Sequence, residues 1–87
     1  MHKPSGHIEK AHQAEGVRRI ADLRRKIGAT AENIEISSEI IVNTPSDAQR
    51  EKLIEKNTQR KHAISSMRKE IRDIEQTIEE RDREAPV

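Results

Sequence analysis

Nine cations stand in four tight groups: Arg18-Arg19, Arg24-Arg25-Lys26, Arg60-Lys61 and Arg68-Lys69. Their obvious chemistry is neutralisation of phosphates, which gives nucleic-acid affinity that falls steeply with salt. The plainer reading is a solvated face of mixed charge. The chain holds no Phe, Tyr or Trp, so it lacks the rings on which single-strand binders stack bases. It also carries no zinc-finger or helix-turn-helix signature. Net charge is only +1.

Other chemistries find less support. His2, His7 and His12 are spaced by five, which does not bring two imidazoles onto one helical face, and His62 is isolated. No metal site and no cofactor is expected. No Cys is present, which excludes disulfides, thiolate metal sites and a thiol nucleophile. Ser37-Ser38 and Ser65-Ser66 have no His placed as a base, no Gly-rich phosphate loop appears, and nothing suggests an apolar pocket that would shift a carboxyl pKa. The chain reads as non-enzymatic.

The elements that must position these charges follow from composition and period. With 87 residues, 38% of them charged, the choice lies between disorder and long exposed helices. Ile20, Ile27, Ile34 and Ile41 recur every seven residues. Later, Asn57, Ile64, Ile71 and Ile78 do the same, with Leu53, Arg60, Met67 and Ile74 as a companion series. This is an a/d heptad pattern. The expected fold is all-α: two long antiparallel helices in a hairpin or coiled coil, assembling into a four-helix bundle. One domain covers 1–87, with a flexible N-terminus at 1–6, helix one at 7–42, a turn at 43–44, helix two at 45–83 and a tail at 84–87. Gly28 weakens helix one, since Gly costs about 1 kcal/mol relative to Ala.

The bend is written in Asn43-Thr44-Pro45-Ser46. Proline pushes the residue before it out of the helical region. Asn43 would end helix one in the left-handed region, Thr44 would cap helix two and Pro45 would open it; Ser46 with Gln49 offers an alternative capping box. So short a turn makes the helices antiparallel neighbours, and facing residue numbers should sum to about 87. This pairs Val17 with Ile71, Ile20 with Met67 and Leu23 with Ile64. Asn57 and Arg60 fall in the seam, where a polar side chain fixes register at a cost in stability, or where Arg snorkels to water.

One partner helix cannot cover all the isoleucines. Ile36, Ile40, Val42 and Ile54 gather near the bend and read as a partner or self-association surface. The functional expectation is a protein–protein interaction module (adaptor, co-chaperone or small inhibitor/regulator) that self-associates, with a dimer favoured. This rests on an analogy of shape with two-helix hairpins. The alternative is a nucleic-acid accessory protein using Arg18, Arg19, Arg24, Arg25, Lys26, Arg60, Lys61, Arg68 and Lys69. No span approaches the ~20 apolar residues of a membrane helix, and no signal segment is visible, so a cytoplasmic location is expected.

Overall fold

A computed structural model describes residues 4–84, with side chains from Gln13 to Arg83. Helix α1 runs Pro4–Asn43 and helix α2 runs Asp47–Glu84. They lie antiparallel in a rod of 71 × 16 × 13 Å. α1 passes through Gly28 without interruption. It opens three residues before the expected start at 7.

The hairpin reading stands, and its bend differs in detail. Asn43 stays inside α1, and no residue among those described adopts a positive φ. The last turn of α1 closes through Thr44 N–H to the Ile40 carbonyl at 2.8 Å. Asn43 Nδ2 donates to the Glu39 carbonyl at 2.9 Å, and Arg50 Nη2 donates to the Thr44 carbonyl at 2.8 Å. Side chains thus satisfy carbonyls that the helix end leaves open. Pro45 belongs to the connection. The cap of α2 is Ser46, whose Oγ accepts from the Gln49 N–H at 3.2 Å. Of the two capping arrangements open in the sequence, the Ser46–Gln49 pair forms its N-cap bond because Asp47, not Pro45, is the first helical residue.

The later start of α2 also changes the register. A sum of 87 puts Ile71 opposite Gly16. Instead, a Cβ on Gly16 would meet Ile74 and Ile78, each at 3.2 Å. Gln13 reaches Asp82, and Ser37 meets Arg60. The partner helix has moved by about one heptad. A seam can slip only in whole heptads without turning its apolar stripe outward, so the next heptad along is the one that fits the displaced bend.

The core is thin. Among the described residues the buried apolar side chains are Ile20, Leu23, Ile64 and Ile71. Ile20, Leu23 and Ile71 form one cluster, and Ile27, Met67, Ile74 and Ile78 pack against it. Toward the bend the buried residues are polar, Ser37 and Asn57, each 6% exposed. Val17, expected opposite Ile71, is 59% exposed. The inner places at that end belong to Gly16 and Ile20, four apart on one stripe.

Candidate nucleic-acid interface

Two cross-helix ion pairs define the two edges of the hairpin. Arg19 precedes Ile20 and bridges Glu70 at 2.8 Å, while Arg24 follows Leu23 and bridges Glu75 at 3.8 Å. Residues immediately before and after a seam position lie on opposite sides of the seam. Two clefts agree with this division. Thr30, Lys56, Gln59, Arg60 and Ala63 line one; Val17, Ile20, Ala21, Arg24 and Glu75 line the other.

Steps of seven keep a residue at the same place beside the seam. Lys26 and Ile40 therefore follow Arg19 along the first edge, with Lys56 and Ala63 following Glu70. Ala31 follows Arg24 along the second edge, and Arg68, Lys61 and Ile54 follow Glu75. The expected apolar patch is thus divided. Ile40 and its helical neighbour Ile36 belong to the first edge. Ile54 belongs to the second, as does Val42, which shares Ala21's heptad position. All four are exposed, Val42 by 82%. Their closeness in sequence near the bend conceals a separation around the rod.

The cationic belt divides in the same way, and its members differ in availability. Arg19 is bound to Glu70; that hydrogen bond, and then the Glu70 charge, raise the Arg19 pKa. A raised Arg pKa adds stability that is lost only as pH climbs through it, far above neutrality, so this pair is no switch at ordinary pH. Arg24 is held loosely by Glu75, and Arg25 pairs with Asp22 on its own helix. Arg60 turns inward, its Nη1 donating to Ser37 Oγ at 2.8 Å and to Asn57 Oδ1 at 2.9 Å. Asn57 Nδ2 in turn makes a long 3.5 Å contact to the Ile34 carbonyl. Arg18, Lys26, Lys61, Arg68 and Lys69 are exposed and form no ion pair among the described residues.

Sequence reasoning missed two contributors. Arg72 lies one helical turn beyond Arg68 on the same face, exposed and outside the ion pairs of the described residues. The i, i+4 step from Arg68 was the available signal. Ser37 was the other. It lies three residues after Ile34, at the place where the seam needs its next residue, and only its hydroxyl disguised it.

His2, His7 and His12 lie outside the residues whose side chains are described, and no group of three or more metal-ligating residues occurs among those that are. No described helix is long and apolar enough to cross a membrane.

The fold and site define a small, highly charged helical hairpin whose surface features are charged edges and shallow open clefts. Residues 12–83 match the family described as small, acid-soluble spore protein Tlp, and the chain belongs to that family. A Tlp homolog of Clostridium botulinum strain Okra is 39% identical over 51 residues, covering 59% of this chain and 68% of the relative. The homolog of strain Hall is 37% identical over the same shares. No solved structure matches.

Membership corrects the main functional expectation. The reading as an adaptor, co-chaperone or small inhibitor acting through a coiled-coil surface is overturned, because the family is one of spore proteins whose description names no such role and no reaction. That reading rested on hairpin shape, which many unrelated functions share, and on a patch that the structure splits. The family's description as acid-soluble is one that this composition suits. Below the carboxylate range the 16 Asp and Glu lose their charge while 17 Lys and Arg and 4 His carry theirs. Chains so uniformly positive repel one another and stay dispersed.

Proposed function

We propose that this chain is a non-enzymatic spore protein of the cell interior that binds nucleic acid through the phosphate backbone. One observation carries the reading. Along the second edge, from Ala21 to Ala31 on α1 and from Thr58 to Arg72 on α2, the charged side chains are Arg24, Lys61, Arg68 and Arg72, all exposed. Between them stand Ala21, Gly28, Ala31, Thr58 and Ser65, which keep the strip low, and the carboxylate that reaches it is Glu75, at the Arg24 end. From Lys61 to Arg72 the cations extend over roughly 16 Å at 1.5 Å per residue, a straight run suited to successive phosphates.

Without aromatic residues the contact is electrostatic and indifferent to base sequence. Four phosphate contacts correspond to a slope of about −3 to −4 in log affinity against log salt on duplex DNA. Fluorescence anisotropy with two short duplexes of unrelated sequence tests this. Equal affinities and that slope are expected, with affinity lowered at least about tenfold and a shallower slope in Lys61→Glu/Arg68→Glu while helix content by circular dichroism is kept. Absence of duplex binding at low salt would overturn the reading.

A further inference from the structure

The first edge carries a second set of cations that the proposed strip does not use. Lys56 and Arg60 line one cleft with Thr30, Gln59 and Ala63, and no carboxylate is among them. Lys52 lies one turn before Lys56 on the same face, and Lys26 follows Arg19 along this edge of α1. Lys26, Lys52 and Lys56 are exposed and form no ion pair among the described residues. Between Lys26 and Ile40 on α1, and between Lys52 and Ser66 on α2, the acids lie away from this edge, Glu32, Glu39 and Glu55 on the outer ridges and Glu35 on the second edge.

Arg60 sharpens the point. It is half-buried at the seam, and its partners there are the neutral oxygens of Ser37 and Asn57. A guanidinium held by neutral acceptors presents its positive field to the cleft uncompensated, whereas that of one bridged to a carboxylate, as Arg19 is, is offset by its partner.

The two cationic edges face away from each other across the rod. Duplex DNA is stiff, with a persistence length of about 150 bp, so a short duplex lying on one edge cannot curl round to the other. We propose that the hairpin bridges two nucleic-acid duplexes, one on each edge, with Arg24, Lys61, Arg68 and Arg72 holding one backbone and Lys26, Lys52, Lys56 and Arg60 the other. The inference rests on the backbone-binding reading and extends it from binding to cross-linking. Placing cations on both sides lets one small protein offset the repulsion between two polyanions.

The test mixes two short duplexes, one bearing a donor fluorophore and one an acceptor, with the full chain at low salt. Energy transfer between duplexes is expected to rise as protein is added. It should then fall at excess protein, when each duplex is saturated by its own molecules. Lys52→Glu/Lys56→Glu should lose the transfer while keeping single-duplex anisotropy within about twofold of the parent, since the second edge supplies that binding. Circular dichroism checks that both chains stay equally helical. Duplex binding without transfer in the parent chain overturns the bridge and leaves the backbone reading standing. Transfer that survives Lys52→Glu/Lys56→Glu also overturns it, because the link would then run through a different surface. No duplex binding by anisotropy overturns both readings.

Discussion

The two halves of the hairpin share one heptad pattern and solve the seam differently. Away from the bend, Ile20, Leu23 and Ile71 close on one another, Ile64 is buried, and Gly16 lets α1 approach Ile74 and Ile78. Near the bend the buried places go to Ser37 and Asn57, with Arg60 bonded between them. The first half supplies the apolar burial that holds the helices together. The second contributes little of it, yet satisfies its polar groups: among the described residues no buried side-chain N or O lacks a partner. Polar seams of this kind cost stability and select one alignment, because a slip by one heptad would strand Arg60 and Asn57 against apolar neighbours.

The comparison breaks first at Leu23, which is 2% exposed. Leu23→Ala should cost about 2–5 kcal/mol through lost burial and the cavity left behind. In so thin a core that is enough to unfold much of the population at room temperature, read as loss of helical circular dichroism. A cost under about 1 kcal/mol would show that the apolar half does not dominate.

The opposite change sharpens the contrast. Replacing the polar node by Asn57→Leu/Arg60→Leu should raise stability by about 1–4 kcal/mol and loosen register, so that light scattering detects oligomers formed by misaligned helices. A double variant that is less stable than its parent would mean that the polar half holds the fold together as well as aligning it.

The smallest effect separates the two internal glycines. A Cβ at Gly28 would meet nothing within 4 Å, so Gly28→Ala should gain about 1 kcal/mol from helix propensity alone. At Gly16 the same gain is opposed by contacts at 3.2 Å with Ile74 Cγ2 and Ile78 Cδ1, and the net shift should be close to zero. Equal stabilisation at both sites, measured by denaturant titration, would remove the packing role given to Gly16.

Much of this was legible in the chain. The sevenfold recurrence of Ile forces helices that bury one stripe, and Pro45 with Ser46 forces the break between them. The place of Asn57 and Arg60 in the seam also followed from period alone. The site was harder to read. Runs such as Arg24-Arg25-Lys26 look like one patch, but consecutive residues in a helix point about 100° apart. They therefore divide between the two edges and the outer ridge of α1. Ile36, Ile40, Val42 and Ile54 misled for the same reason.

The sequence by itself determined that two long helices form, that they fold back on each other, and that charge covers their outer faces. These are local matters, fixed by period, propensity and a cap. Only the tertiary structure decided which heptad of α2 lies against which heptad of α1, because that depends on where the connection ends. It likewise decided which cations are spent on carboxylates, as Arg19 is on Glu70, and which remain open along the edges. Pairing across a seam depends on the partner helix, and neither helix encodes it alone.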